Sequence, residues 1–104
     1  MGYSELYTEI TNCYIEGTST TIGLGILAHE SFAVVQETYF SNVYVGLSTY
    51  YNKIHSVDND DTGIMPKYGL YAHAGGQIIK YSAVQPNGSI SNELTHYGGQ
   101  IIGS

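Results

Sequence analysis

Apolar and polar positions are patterned most clearly between Thr21 and Phe40. Ile22, Leu24 and Ile26 alternate there with Gly23 and Gly25, and residues 32–39 read Phe-Ala-Val-Val-Gln-Glu-Thr-Tyr, a run suited to a pleated surface. Ala28, His29, Glu30 and Ser31 separate the two runs, a connection short enough for a hairpin. The pattern predicts two paired strands at the centre of the fold. Upstream, Tyr3, Leu6, Tyr7, Ile10, Cys13 and Tyr14 recur at helical spacing. Ser4 can cap this segment and Glu5 suits the first turn, so a helix is predicted over residues 4–14, stopped at Gly17.

A second helix is predicted over residues 43–55, capped by Ser41 or Asn42, with Val43, Leu47, Tyr50, Tyr51 and Ile54 on one face. Gly46 and the Val/Thr content weaken it. Residues 56–63, Ser-Val-Asp-Asn-Asp-Asp-Thr-Gly, read as a solvated loop. The last third is rich in glycine, with strands predicted over residues 68–73, 77–84, 89–95 and 99–102. Gly75-Gly76 and Pro86-Asn87-Gly88 mark the turns between them. The Asn87-Gly88-Ser89 sequon is better explained as a hairpin turn than as a glycosylation site. One local echo stands out: His73-Ala74-Gly75-Gly76-Gln77-Ile78-Ile79 against His96-Tyr97-Gly98-Gly99-Gln100-Ile101-Ile102. A pattern of short period that occurs only twice falls below the three or so repeats a solenoid needs, so two strands entered by similar turns are expected instead.

Composition narrows the picture. With 104 residues and 42% hydrophobic content, the chain suits a single domain over residues 1–104. The formal net charge of -6, with three lysines and no arginine, argues against nucleic acid and against an anionic membrane surface. The lone Cys13 excludes an internal disulfide and, on the apolar stripe of the first helix, is expected to be buried. No leader with a basic start and apolar centre is visible, and no run reaches the length of a membrane span. A cytoplasmic protein is expected, or alternatively one carried in a virion.

Candidate chemistry is sparse. Asp58, Asp60, Thr62 and Gly63 match the opening of a calcium loop, but Gly69 stands where its bidentate Glu belongs and Pro66 interrupts the following helix. His73 and His96 occupy equivalent places in the echo, without a Cys or carboxylate matched in both copies. No metal is expected. No cofactor is expected either, because no phosphate-cradling or dinucleotide glycine motif occurs. His29-Glu30 and His55 with Asp58 lack a nucleophile in a defined setting, so the chain is not expected to be an enzyme.

The order of these pieces resembles the plant-type profilins. The likeness runs through the aromatic N-terminal helix, Cys13, Ile15-Glu16-Gly17-Thr18, the strand leading to His29-Glu30, then Val34-Val35-Gln36 and Phe40. Pro66, Gly69-Leu70 and Gly75-Gly76 resemble a later stretch of that family. The resemblance implies an α+β fold, an antiparallel sheet with an N-terminal helix and a second helix. It also implies a non-enzymatic binding module that takes actin or proline-rich segments, the latter by aromatic stacking against a polyproline II helix. Tyr3 stands where the family has Trp and Tyr7 lies near its conserved Tyr, so these two are the candidate proline-rich-ligand residues. There are departures. The sequence shows no counterpart of the family's long C-terminal helix, Val34 and Val35 replace its hairpin Trp, and no actin-facing residue carries over. The rival expectation is a self-assembling structural subunit, such as a virion decoration or filament protein, whose uncovered sheet is covered by further copies. The 11 tyrosines and 13 glycines suit that reading.

Overall fold

The computed structural model describes residues 7–29 and 32–103. Among the described residues there are twelve strands and no helix. They are β1 (Tyr7–Thr11), β2 (Tyr14–Glu16), β3 (Leu24–Ala28), β4 (Phe32–Gln36), β5 (Tyr39–Ser41), β6 (Val45–Tyr50), β7 (Lys53–Val57), β8 (Asp60–Asp61), β9 (Tyr68–His73), β10 (Gln77–Lys80), β11 (Ser91–His96) and β12 (Gln100–Gly103). They fall into a five-stranded sheet β1-β4-β7-β10-β12, a three-stranded sheet β2-β5-β8 and a four-stranded sheet β11-β9-β6-β3. We call these faces A, B and C. Every pairing within them is parallel.

The chain therefore winds as a parallel β-solenoid, visiting face A, then B, then C, and starting the next coil directly above. Register gives the coil length. Tyr7 pairs with Phe32, a step of 25 residues, and Ala33 with Ile54, a step of 21. Lys53 pairs with Gln77, a step of 24, and Gln77 with Gln100, a step of 23.

This architecture overturns the expected α+β fold, the antiparallel sheet and the resemblance to profilin. The stretch predicted as a central hairpin contains β3 and β4, which lie on different faces and do not pair with each other. The described part of the predicted N-terminal helix is β1 and the first residue of β2, and the predicted second helix is β6 and the start of β7, joined through Tyr51 in the left-handed conformation (φ 60°). In both segments, apolar residues from successive strands and turns happen to fall at helical intervals. The β-branched content, Thr8, Ile10 and Thr11 in one and Val45 and Thr49 in the other, favours the pleated form. Asp60 and Asp61, expected in a solvated loop, form the β8 rung of face B. Cys13, expected to be buried, is exposed. The seven-residue echo spans one coil: its 23-residue period is the spacing between His73 and its paired neighbour His96.

Inward positions stack into rows across coils. One row runs Ala33, Ile54, Ile78, with Ile101 packed beside it, and another runs Ile26, Leu47, Leu70. Phe40 fills the interior between the faces and is fully buried. Burying each such side chain stabilises the fold by roughly 1.5–3 kcal/mol. The glycine that follows the first residue of β3, β6 and β9 lets coils close at one corner. A Cβ on Gly25 would sit 2.6 Å from both the Gly46 carbonyl oxygen and the Phe40 ring, and one on Gly69 would overlap the Pro86 carbonyl.

The buried polar side chains are bonded rather than stranded. Asn59 Oδ1 accepts from the Thr38 amide at 3.0 Å, while its Nδ2 donates to the Val35 carbonyl at 2.9 Å and to Ser56 Oγ at 2.8 Å. The Ser56 hydroxyl bonds in turn to Gln85 Oε1, and Gln85 Nε2 donates to the Ser56 carbonyl at 3.1 Å. This chain of bonds ties the second, third and fourth coils together where a lone polar group would be costly.

Candidate functional site

Face C carries the candidate site. Along its strands, inward and outward positions alternate, so the outward positions form rows of their own. Ser48 pairs with Tyr71 and Tyr71 with Leu94; in the next row, Tyr50 pairs with His73 and His73 with His96. His29, one residue beyond β3, extends that second row by a rung. The result is His29, Tyr50, His73, His96, one ring from each of four successive coils.

The rings are in contact. Centroid separations along the row are 6.0 Å for His29–Tyr50, 4.5 Å for Tyr50–His73 and 6.2 Å for His73–His96, with interplanar angles of 80°, 45° and 68°. Turn residues add to it. Tyr51 lies 6.0 Å from His29, and Tyr97 lies 5.1 Å from His73 in an edge-to-face contact. Both have positive φ, 60° and 51°, which turns their side chains out beside the strands. They are 73% and 82% exposed, so they present most of their surface to solvent. Tyr71 completes the group. Its hydroxyl donates to His96 Nδ1 at 3.1 Å in the tautomer that protonates His96 Nε2. Partial burial, reinforced by Tyr50, Tyr44, Tyr97 and Tyr68, raises the Tyr71 phenol above its usual pKa. His73 Nδ1 is buried among these rings without a hydrogen-bond partner.

The charge pattern separates this face from the rest. The outward positions of β6, β9 and β11 carry no Asp, Glu or Lys. The acids Glu37, Asp58, Asp60 and Asp61 gather on face B and its corner with face A. Asp61 is engaged there, accepting from the Asn87 amide at 2.8 Å and from Asn87 Nδ2 at 3.0 Å. Among the described residues, no group of three or more His, Cys, Asp or Glu is placed to hold a metal ion. The two echo histidines do meet, as neighbours in register, and without a third ligand of those types.

Of the two residues expected to form a ligand site, the described one, Tyr7, does not share this face. Tyr3 lies outside the described residues. Tyr7 stands on β1 of face A, its ring 5.5 Å from Phe32. Phe32 in turn sits 4.6 Å from His55 and under Lys53 Nζ at 4.9 Å. The ring row of face C was not anticipated from the sequence, although the echo holds half of it: His73 with the turn that follows, and His96 with Tyr97.

A concavity of about 150 Å³ opens where the fourth coil ends, floored by Leu70 and Pro86 and rimmed by Lys80, Asn92 and Glu93. Its two charged groups are paired with each other. Among the described residues no helix is long and apolar enough to cross a membrane. No protein-family model, no curated protein and no solved structure matches the chain.

Proposed function

We propose that this chain is a non-enzymatic binding module, a stiff solenoid segment that holds the ring face of face C for an extended chain ligand. The observation that carries this reading is the His29–Tyr50–His73–His96 row, with one ring per coil and exposed Tyr51 and Tyr97 beside it. Aromatic faces with polar tips suit ligands that are apolar on one side and hydrogen-bonding on the other. With the profilin fold overturned, actin has no observation behind it and is not proposed. The surface taken for an aromatic-dependent ligand is the ring face of face C, apart from Tyr7 on face A.

The test is a tyrosine-fluorescence titration against two panels, proline-rich peptides and soluble oligosaccharides, with the Tyr51→Asn/Tyr97→Asn double variant alongside. Asn tolerates the left-handed backbone at both sites. A response in the folded parent that the double variant loses supports the ring face. Silence from both panels at millimolar ligand defeats the reading.

A second reading, a self-assembling structural subunit, is favoured by one separate feature. Large apolar side chains such as Tyr81 and Ile102 are exposed on or near face A. Sedimentation at micromolar concentration separates the two: large particles favour assembly, and a monomer removes it.

A further inference from the structure

This inference rests on the ring face being a binding surface, and it names the ligand class. The row offers one ring at every coil, and neighbouring parallel strands lie about 4.8 Å apart. Three such spacings make the row roughly 14 Å long. A ligand that uses every rung therefore repeats at close to one strand spacing. A polyproline II segment repeats its side-chain pattern every three residues, about 9.3 Å, and would meet alternate rungs. Each hexopyranose unit of an extended glycan is a single six-membered ring comparable in length to one strand spacing, so successive units can meet successive rungs.

The chemistry agrees with the spacing. A pyranose presents C–H groups on its faces and hydroxyls around its rim. Tyr50 and the three imidazoles supply π-faces for the first and donors or acceptors for the second. Their planes turn by 80°, 45° and 68° from rung to rung, so the rings do not consume one another in a closed parallel stack. Tyr51 of the second coil and Tyr97 of the fourth stand beside the row two coils apart, with Ala74 at the equivalent turn position between them. The outward positions of β6, β9 and β11 hold no Lys or Arg, so no permanent cation on them is matched to the carboxylate or sulfate of an acidic polysaccharide.

We propose that the row binds a neutral polysaccharide lying along the solenoid axis, one hexopyranose unit per coil. The experiment is a calorimetric titration of the whole chain with neutral oligosaccharides of one to six units. Glucose, mannose and N-acetylglucosamine series are each used, with a uronate series and a proline-rich peptide as comparators. In one neutral series, affinity is expected to rise with each unit up to four and then level off. Tyr51→Asn and Tyr97→Asn should each weaken binding about tenfold with the thermal midpoint unchanged, because both side chains are mostly exposed.

Binding of the proline-rich peptide alone would overturn the ligand class and leave the binding face standing. Binding of no comparator and no sugar would defeat both. Tighter binding of the uronates, affinity that does not change with length, or full affinity in both Tyr variants would each overturn the proposal.

Discussion

The middle coils and the last turn are built on the same rows but fill them differently. Through the third coil, the row Ile26–Leu47–Leu70 is aliphatic; its next member in register is Glu93. The row that begins Ile10–Val35 passes through Ser56 and reaches Lys80. The second row runs on to Gly103; at the Glu93 and Lys80 rungs the two rows carry opposite charges, and Lys80 Nζ pairs with Glu93 across the interior. Lys80 is 17% exposed and Glu93 41%, so the pair sits where the core meets water. A solenoid coil is covered only by its neighbours. The middle coils hold aliphatic side chains and, at Ser56 and Asn59, polar groups bonded within the core, whereas the Lys80–Glu93 rung holds a neutralised ion pair.

Four substitutions probe this difference, in descending size. Phe40→Ala removes the largest fully buried side chain of the second coil, and a loss of about 4 kcal/mol in urea-denaturation stability is expected. A loss under 1 kcal/mol would mean the middle coils do not carry the core. Asn59→Ala strands the Thr38 amide and the Val35 carbonyl while leaving the aliphatic rows intact. It is expected to cost about 2–3 kcal/mol by the same measurement. Lys80→Met, in the last turn, leaves Glu93 partly solvated and is expected to shift stability by less than about 1 kcal/mol. A loss as large as that of Phe40→Ala would erase the distinction between the two regions.

The smallest effect concerns pH and joins the regions, because Tyr71 of the third coil bonds to His96 of the fourth. The Tyr71 pKa is raised in the folded chain, so its contribution is complete below the ordinary phenol value of about 10 and fades as pH rises through the higher folded value. Denaturation midpoints followed from pH 8 upward should fall at the alkaline end, and Tyr71→Phe should make that fall shallower. An identical decline in the variant would remove Tyr71 from the account.

Part of this architecture is legible in the chain. The pattern marks residues 68–73 as a strand, and β9 occupies those residues. The strands predicted over 89–95 and 99–102 correspond to β11 and β12 within two residues. What hides the solenoid is the variation in coil length, from 21 to 25 residues, which smears any fixed period. The echo survives between His73 and His96 because turns of the same form, Ala74-Gly75 and Tyr97-Gly98, both with positive φ, follow the two strands. A fainter signal was present: Leu24-Gly25-Ile26, Val45-Gly46-Leu47 and Tyr68-Gly69-Leu70 repeat one motif in three coils. Its spacings of 21 and 23 residues keep it from standing out. The ring row was hidden for a related reason. Its members are more than twenty residues apart, and only pairing in register makes them neighbours.

The bonds that run from Asn59 through Ser56 to Gln85 have a mechanical consequence. A load that pulls the C-terminal end outward along the axis peels one strand ladder at a time instead of shearing many together. β12 and β11 meet that load first, above the rung where Lys80 pairs with Glu93. The peeling front then reaches the third coil, where the side-chain bonds of Asn59, Ser56 and Gln85 must break along with the backbone ladder. Extension in an optical trap should show a short yield at low force, of about one coil's length, followed by a firmer one. Loss of the firmer step in Asn59→Ala would identify this network as the brake.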